Sequence, residues 1–183
     1  MKDIFKIIVV LTFICSLCAF LLSFVNSAAR EKIEINAKQR IKDAISNLAP
    51  NTKAIKEIKV AGEVIYQLIN NKNNMFAYAF LAEGQGYQGT IKILVVADVS
   101  LEKLYGIEVV ESVETPGLGA KIEREPFRGQ FENINVSKSI ICIKEDITQN
   151  NQIKAITGAT VSSRAVVNIL NKKITELKGS LAN

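Results

Sequence analysis

The chain has 183 residues, and its 23 Lys and Arg against 18 Asp and Glu give a net charge of +5. It contains no histidine. Because histidine is the usual general base and the commonest metal ligand, its absence argues against most hydrolase mechanisms, against haem attachment through Cys-x-x-Cys-His and against a metal site. The charges are dispersed and no basic run is interleaved with aromatic residues, so attraction to an anionic membrane surface explains the positive charge better than a nucleic-acid partner does.

The first predicted element is a membrane-spanning helix. Residues 7–29 carry no charge, and Ile, Val, Leu and Phe dominate this run as far as Val25. At about 1.5 Å per residue, the run can cross a bilayer core of roughly 30 Å, so residues 1–29 are predicted to form a transmembrane anchor. A cleaved signal peptide is the alternative, since Ser27-Ala28-Ala29 are small, but the run exceeds the roughly 7–15 apolar residues of a signal core.

Residues 30–49 form the next predicted element, an amphipathic helix that ends before Pro50. This helix either continues the membrane helix outward as a stalk or packs on the domain that follows. Residues 50–183 are predicted to form that domain, because about 150 residues remain after the apolar segment and suffice for one core.

Strand-like segments fill the first half of this domain, and short polar turns such as Asn70–Asn74 separate them. Short turns favour antiparallel pairing, so the predicted fold class is α+β, with an antiparallel sheet and flanking helices. The predicted strands are Ile55–Val60, Val64–Ile69, Met75–Ala82, Thr90–Ala97 and Leu104–Val110, with Ser139–Lys144 later in the chain.

The three cysteines are predicted to be packing residues. Cys15 and Cys18 lie inside the apolar run, where a dithiol lacks the surface exposure of a redox pair. Cys142 stands alone in a predicted strand and is expected to act as a small buried hydrophobe. A single cysteine in the predicted domain leaves no partner for a disulfide within it.

Two glycine-rich segments interrupt the strand pattern. The first is Gly84-Gln85-Gly86-Tyr87-Gln88-Gly89, and the second is Glu114-Thr115-Pro116-Gly117-Leu118-Gly119. Pro116 and Gly117 together are a turn signal. Each segment alone is explained equally well by a tight connection, between two strands in the first case and between sheet and helix in the second.

The segment Thr157-Gly158-Ala159-Thr160-Val161-Ser162-Ser163 precedes a final predicted helix of roughly four turns. Hydroxyl side chains favour helix N-termini, where free N–H groups and the helix dipole also attract anions. Gly158 and Ala159 leave room for a phosphate-bearing ligand, although by composition alone an ordinary helix cap is the commoner explanation. The apolar residues that recur at helical spacing are Val161, Ala165, Ile169, Leu170, Ile174 and Leu177.

In this order, the three segments resemble the FMN-binding domain of the G subunit of Rnf electron-transport complexes. The related C subunit of the sodium-pumping NADH:quinone reductase is similar. The resemblance runs from about residue 82 to about residue 172, roughly half of the chain, and the N-terminal anchor also fits the family. The short chain favours the Rnf protein over its quinone reductase counterpart.

The resemblance implies that Thr160, the last residue of the Thr-Gly-Ala-Thr motif, carries FMN covalently through its phosphate. A flavin transferase would attach it, and a plain helix N-cap is the alternative role for Thr160. In the same way, the second glycine-rich segment would form a loop close to the flavin. The residues that the resemblance assigns to the cofactor site are therefore Thr160, Thr157, Gly158, Ala159, Ser162, Glu114, Thr115, Pro116, Gly117, Leu118 and Gly119.

One residue departs from the family pattern. The motif usually has an acidic residue six positions before the acceptor, where this chain has Lys154. The lysine bears on recognition by the transferase more than on the binding of FMN. A milder departure is Thr157, at a position where serine is common.

The favoured hypothesis from the sequence is a single-pass component of an Rnf-type complex that relays electrons through FMN. The resemblance implies membrane subunits as partners, a cytoplasmic N-terminus, an extracytoplasmic FMN domain, and electron transfer between ferredoxin and NAD coupled to movement of sodium or protons. Lys and Arg flank both ends of the apolar run, so charge alone barely decides the orientation. The alternatives are a membrane-tethered assembly module without covalent flavin and a free-standing flavoenzyme that reduces a small acceptor.

Overall fold

The computed structural model describes residues 2–181, apart from the side chain of Glu31. Three helices and seven strands, joined by loops and 3-10 turns, make up this part of the chain. The helices are α1 (Lys2–Leu48), α2 (Glu125–Arg128) and α3 (Thr160–Leu181). The strands are β1 (Thr52–Val60), β2 (Glu63–Asn70), β3 (Met75–Gln85), β4 (Thr90–Asp98), β5 (Leu104–Ser112), β6 (Ile141–Ile143) and β7 (Gln152–Lys154).

Helix α1 has 47 residues and joins the two predicted N-terminal elements into one. Its segment Lys2–Arg30 has a mean hydropathy of 2.8 and is long and apolar enough to cross a membrane. The chain divides into two compact units between residues 40 and 41. The last turns of α1 therefore belong to the second unit, and the helix ends before Pro50 as predicted, since the residue before a proline disfavours helical angles. The predicted anchor begins at residue 1 and the predicted domain ends at residue 183, and residues 1, 182 and 183 lie outside the described residues.

Strands β1 to β5 form an antiparallel sheet in which each strand pairs with the next along the chain. The predicted antiparallel pairing is confirmed, and each of these five strands extends the predicted one by one to three residues at one or both ends. Alternation in β4 distributes its side chains between two cores: Ile93 and Val95 face one side of the sheet, and Leu94 and Val96 face the other.

The two faces of the sheet are covered by different helices of the second unit. The larger core lies between the sheet and α3, and it includes Phe80 on β3 and Leu170 on α3, both at most 1% exposed. The smaller core packs the last turns of α1, with Ala44 and Ile45, on the opposite face. This arrangement places the beginning of α3 beside the ends of β3 and β5.

Three local features differ from the sequence prediction. Helix α3 has 22 residues rather than about four turns, and Val161, predicted on its apolar face, is 57% exposed. Strand β6 has three residues, fewer than the predicted Ser139–Lys144, and it pairs in parallel with β7, which was not predicted. Short helical turns also fill residues 119–131, where no element was predicted. Cys142 lies in β6, half-buried against the larger core, and burial raises the pKa of its thiol.

Candidate functional site

Three connections meet at one end of the sheet, and they are the segments that the sequence singled out. The first is the β3–β4 turn, which the Gly86 N–H closes by donating to the Gly89 carbonyl at 2.7 Å. The second follows β5 and contains Glu114, and the third is the turn that begins α3 at Thr160. Glu114 connects all three.

Glu114 is a buried carboxylate, 5% exposed, with a donor on each oxygen. Its Oε1 accepts a hydrogen bond from the Gln88 backbone N–H at 2.9 Å, and its Oε2 accepts one from Ser162 Oγ at 2.5 Å. The backbone N–H groups of Tyr87 and Gly89 also donate to it. Since Ser162 is itself only 3% exposed, this junction holds the β3–β4 turn, the post-β5 loop and α3 together inside the protein.

The carboxylate of Glu114 stays ionised in this junction. Burial by itself raises the pKa of Glu114, but the hydrogen bonds from Ser162 and from the backbone N–H groups of Gln88, Tyr87 and Gly89 outweigh it and lower the pKa below its ordinary value. A buried charge of this kind costs free energy unless hydrogen-bond donors surround it, and the donors named here meet that requirement.

Two glycines make room for the Glu114 carboxylate. A Cβ at Gly86 would collide with Oε1 of Glu114, and a Cβ at Gly119 would collide with Oε2. These positions require the absence of a side chain, because the carboxylate and the donors around it fill the space. One glycine in each segment, Gly86 and Gly119, is thus explained by packing around a charge.

The loop after Glu114 is a tight turn that leaves its tip exposed. The Leu118 N–H donates to the Thr115 carbonyl at 3.1 Å, and Gly117 between them has φ +78°. With Pro116 at the preceding position, this is a type II turn, which requires a positive φ at its third residue. The Thr115 hydroxyl donates to Oε1 of Gln88 at 2.7 Å, which ties this loop to the β3–β4 turn a second time.

The start of α3 presents free backbone donors. The first intrahelical bond runs from the Ser163 N–H to the Ala159 carbonyl at 3.0 Å. The N–H groups of Thr160, Val161 and Ser162 precede that bond and have no partner within the helix. Gly158 adopts φ +83° to direct the chain into the helix, and the side chain of Leu118 lies beside it.

Ser163 makes the side-chain hydrogen bonds at this helix start. Its hydroxyl accepts from the Ile156 N–H at 3.0 Å and donates to the Ala159 carbonyl at 2.9 Å. Thr160 is the first residue of the helix and is partly exposed, whereas Ala159 before it stands at the N-cap position. The alternative role of Thr160 as the N-cap is therefore not the arrangement in the structure.

Two clefts flank the start of α3. A groove of about 560 Å³ borders Thr157; it is lined by Lys121, Arg124, Pro126, Phe127, Gln130, Ile147, Lys154, Ala155, Ile156 and Thr157, and we call it the Phe127 groove. A cleft of about 470 Å³ lies on the other side; it is lined by Glu83, Gly84, Gln85, Gly86, Val161, Arg164, Ala165, Asn168, Ile169 and Lys172, and we call it the Arg164 cleft. Both volumes fall within the range of small-molecule sites.

Lys154 lies in β7 at the edge of the Phe127 groove. Its Nζ is 2.6 Å from Oδ1 of Asp146, and the exposed ion pair lowers the pKa of Asp146 through a hydrogen bond and the lysine charge. The Gln130 side chain fixes the backbone of Lys154, because its Oε1 accepts from the Lys154 N–H at 2.6 Å and its Nε2 donates to the Lys154 carbonyl at 3.2 Å. The departure from the family pattern thus places a cation, with a carboxylate beside it, in the groove that borders Thr157.

The residues assigned from the resemblance fall into two groups. Glu114, Ser162, Gly119 and Ala159 are buried, and the first two are bonded to each other, so these four shape the site from within. The second group is exposed or partly exposed on the surface of the turns and comprises Thr115, Pro116, Gly117, Leu118, Thr157, Gly158 and Thr160. Sequence reasoning named Ser163 as a hydroxyl at the helix start, and the structure confirms that it bonds there. It missed the residues of the Phe127 groove other than Lys154 and Thr157.

The geometry fits a flavin nucleotide on two observations. Free N–H groups at the start of α3 suit a phosphate, and the positive φ of Gly158 brings the backbone close to such a group without a side chain in between. The Phe127 groove adds an apolar surface that is also lined by the cations Lys121, Arg124 and Lys154. Such a surface suits a planar ligand that carries negative charge.

Comparison with known proteins agrees with this fit. Residues 86–175 match the model of the FMN-binding domain. The chain is 28% identical over 182 residues to the G subunit of the ion-translocating oxidoreductase complex of Methanosarcina acetivorans, covering 94% of each chain. It is 35% identical over 108 residues to the G subunit of the proton-translocating ferredoxin:NAD(+) oxidoreductase complex of Clostridium ljungdahlii, covering 59% of this chain and 57% of that one.

Two further comparisons concern family and fold. The G subunit of the ion-translocating oxidoreductase complex of Haemophilus influenzae strain PittEE is 32% identical over 177 residues, covering 87% of this chain and 83% of that one. The crystal structure of NqrC from Shewanella oneidensis superposes with a TM-score of 0.58 at 16% identity, over 64% of this chain and 62% of that one, which shows the same fold. The chain belongs to the family of G subunits of ion-translocating oxidoreductase complexes, and it carries that family's FMN-binding domain.

Proposed function

We propose that this chain is the membrane-anchored flavoprotein subunit of a ferredoxin:NAD oxidoreductase complex, and that FMN bound covalently to Thr160 relays electrons between other subunits. The observation that carries the proposal is the position of Thr160: it is the first residue of α3, partly exposed, and preceded by Gly158 at φ +83°. The hydroxyl then lies where free N–H groups attract a phosphate.

The chain contributes position and electrostatics rather than chemistry. When bound, FMN supplies an isoalloxazine ring that accepts and donates electrons. The junction at Glu114 fixes the start of α3 relative to both loops, so the acceptor hydroxyl and the surface around it keep one geometry. With no histidine in the chain, we expect no residue to act as general base or nucleophile during turnover.

Attachment through the phosphate is a transfer from an activated flavin nucleotide, a flavin dinucleotide. The Oγ1 of Thr160 forms a bond to the phosphorus of the FMN unit, the diphosphate bond of the donor breaks so that a nucleoside monophosphate leaves, and the threonine proton is released. The protein gains the mass of one FMN less one water. We propose that a flavin transferase performs this step, with Lys154 and Asp146 near the acceptor turn where the family pattern has an acid. The ring itself stays unmodified and free for electron transfer.

The N-terminal helix supports a membrane anchor. Lys2–Arg30 has the length and hydropathy of a membrane span, and the relatives are named as subunits of ion-translocating complexes. We place the N-terminus inside and the FMN domain outside the cytoplasm, with the lipid bilayer and other membrane subunits of an Rnf-type complex as partners. Outside the cytoplasm a dissociated flavin is lost to dilution, which gives a covalent bond its purpose. The proposal names no coupling ion.

The test is the intact mass of the full chain after co-expression with a flavin transferase and denaturation. We expect a gain of one FMN less one water, mapped to the peptide that contains Thr160. Thr160→Ala abolishes the gain, whereas Thr175→Ala, a matched control at an exposed threonine of the same helix outside the motif, retains it. Retention of the flavin by Thr160→Ala through denaturation overturns the assignment.

A second candidate, a membrane-tethered assembly module without covalent flavin, is favoured by Lys154, since it replaces the acid of the motif. Visible absorbance separates the two candidates. The flavoprotein is yellow after expression with its transferase, and the module is colourless under the same conditions.

A further inference from the structure

We propose that the Arg164 cleft is a strand-addition site, in which an extended acidic segment of another protein pairs with the free edge of β3 beside α3. Two features of the cleft support this inference: unpaired backbone on β3, and cations at a matching spacing on α3. None of the residues that carry it is the acceptor or lines the Phe127 groove, so it does not rest on the proposed function.

Strand β3 is longer than the strand beside it. In the register of this pair, Ile65 of β2 lies opposite Phe80 of β3. When that register is continued, Glu63, the first residue of β2, falls opposite Ala82. Before Glu63 the chain turns back into β1. The last residues of β3, Glu83–Gln85, therefore extend past β2 and pair with β4 on one side only.

The backbone groups on the open side of this extension face an empty position in the sheet. The Gly86 N–H bonds toward β4, to the Gly89 carbonyl, and successive residues of a strand direct their backbone groups to opposite sides. The N–H and C=O groups of Glu83 and Gln85 thus point away from β4. Among residues 2–181 no strand pairs with them on that side, and such an edge is a template for another strand.

The Arg164 cleft lies on this open side. It is lined by the end of β3, the turn that follows it and α3, and none of its described lining residues belongs to β4. It continues into a cavity of about 490 Å³ that shares Glu83, Ile169 and Lys172 with it and that Val64 of β2 also lines. Ile169 packs against the backbone of β3 at Gly84, where a Cβ would lie only 2.6 Å from its Cγ1. The cleft therefore has a strand edge on one side and a helix on the other.

The helix side of the cleft is cationic. Arg164, Asn168 and Lys172 lie one helical turn apart from one another and all line it, so the two cations are about 12 Å apart along α3. Within the described residues, Arg164 has no ion pair and no side-chain hydrogen bond. Lys172 has a long, exposed ion pair with Glu176, at 4.0 Å. Both charges are available to a ligand.

The spacing of these cations matches that of side chains on a strand. Two residues four apart on one face of an extended strand are separated by about 13 Å. A segment with an acid, a polar residue and a second acid at alternate positions would face Arg164, Asn168 and Lys172 in turn. The carboxylate of Glu83 does not compete for these cations, because it pairs with Lys92. Main-chain bonds to β3 would supply affinity, and the acids would supply specificity.

A second copy of this chain does not fit the cleft in the same way. The free sheet edge that such a copy would offer is that of β1, which carries Lys53, Lys56 and Lys59. Like charges on neighbouring elements repel one another. We therefore infer an acidic segment of a different protein.

The first experiment titrates a heptapeptide against the full chain in detergent. The peptide is Val-Glu-Val-Thr-Val-Glu-Val, amidated and labelled at its N-terminus with a neutral dye, and binding is followed by fluorescence anisotropy. We expect saturable binding that is roughly tenfold weaker when glutamine replaces both glutamates, because charge-assisted hydrogen bonds are about twice as strong as neutral ones. Absence of saturable binding up to about 1 mM peptide, the weak end of measured affinities, overturns the proposal.

Methylation of the peptide nitrogens tests the backbone pairing. In an added strand that is antiparallel to β3, as β2 is, opposed residues share a face, so the N–H groups directed at β3 belong to the valines while the glutamates face α3. We expect N-methylation of the two inner valines to weaken binding by roughly tenfold or more, since it removes hydrogen bonds to β3. N-methylation of the two glutamates is the matched control and retains binding. Equal binding by the two methylated peptides shows an interaction through charge alone and overturns strand addition.

Variants of the chain locate the bound peptide. Gln85→Pro removes a backbone donor on the open side of β3 and none that faces β4, whereas Gln85→Ala keeps that donor. Arg164→Gln/Lys172→Gln removes the two cations of the cleft, and Lys56→Gln/Lys59→Gln removes two from the edge of β1 as a matched control. We expect Gln85→Pro and the cleft pair each to bind the peptide roughly tenfold more weakly. Both controls bind it as the wild type does.

The outcomes of these measurements do not depend on the flavin. Weaker binding by the β1 pair, or unchanged binding by the cleft pair, places the peptide elsewhere and overturns the proposal. The peptide titration gives the same information on chains with and without FMN on Thr160. A chain that gains no FMN mass therefore overturns the proposed function and leaves the strand-addition site to be judged by the peptide.

Discussion

The sheet core and the Glu114 junction are stabilised in different ways. The core between the sheet and α3 consists of many apolar side chains whose contributions are similar in kind and partly interchangeable. The junction depends on one carboxylate and a fixed set of donors, among them Ser162 and the backbone of the β3–β4 turn. The core thus provides most of the stability, while the junction determines where the candidate cofactor surface lies. Four substitutions test this division.

The largest loss of stability is expected in the core. Phe80→Ala removes a side chain that is 1% exposed at the centre of the sheet, and we expect the free energy of unfolding to fall by about 3–5 kcal/mol. Urea unfolding of the full chain in detergent measures this. A loss below about 1 kcal/mol would mean that the core relaxes around the cavity and does not dominate stability.

The next effect is at Glu114. Glu114→Gln replaces an acceptor oxygen with an NH2 group that faces protein donors, so we expect a loss of about 1.5–3 kcal/mol at pH 7. The measurement is again urea unfolding, combined with flavin loading of Thr160. If the junction positions the site, the fraction of chains that carry flavin is lower in Glu114→Gln than in Phe80→Ala, although Phe80→Ala is expected to be the less stable variant.

The pH dependence supplies the control for Glu114. Its folded-state pKa is lowered, so the carboxylate contributes stability that is fully present above its unfolded pKa of about 4.3 and is lost as pH falls through the folded value. The stability difference between wild type and Glu114→Gln therefore shrinks below about pH 4.3. A difference that stays constant as the pH is lowered from neutral through this range would contradict an ionised Glu114.

A smaller loss is expected at Gly119. In Gly119→Ala, the new Cβ meets Oε2 of Glu114 and Ser162 Oγ, and overpacking of this kind costs about 1–3 kcal/mol. The matched control is Gly179→Ala on α3, where a Cβ meets nothing within 4 Å and helix propensity favours alanine. Equal effects of the two alanines on urea unfolding would rule out crowding at the junction.

The smallest effect is expected at the exposed carboxylate Asp146. Asp146→Asn breaks its ion pair with Lys154, but exposed pairs contribute little because water screens them. We expect urea midpoints within experimental error of wild type, in contrast with Glu114→Gln. A large loss would show that burial does not distinguish the two carboxylates.

Periodicity explains why the sheet and the final helix could be predicted. Strands such as β4 alternate between two apolar faces, and α3 repeats its apolar residues at helical spacing. Both patterns are local, so a window of about ten residues contains the information. The prediction that Val161 lies on the apolar face of α3 was wrong, because in the first turn of the helix this side chain faces the Arg164 cleft and not the core.

The junction could be predicted only in part. Its three segments were identified from their glycines and hydroxyls, but the role of Glu114 was not, because its partners Gln88 and Ser162 lie 26 and 48 residues away. No periodic pattern links residues at such separations. Likewise, the Phe127 groove combines three short stretches, of which only the one that ends at Thr157 touches a motif. The three-residue strand β7 is too short for alternation to be recognised.

The meander of β1 to β5 brings together residues that are close in sequence, whereas the bond between Glu114 and Ser162 spans 48 residues and requires the C-terminal helix. Contacts between neighbouring segments form early in folding, and contacts that close long loops form late. During synthesis, α3 is also the last of these elements to leave the ribosome. The surface around Thr160 is therefore completed only once α3 is present. A chain truncated before α3 would contain the β3–β4 turn and the Glu114 loop without an assembled candidate site.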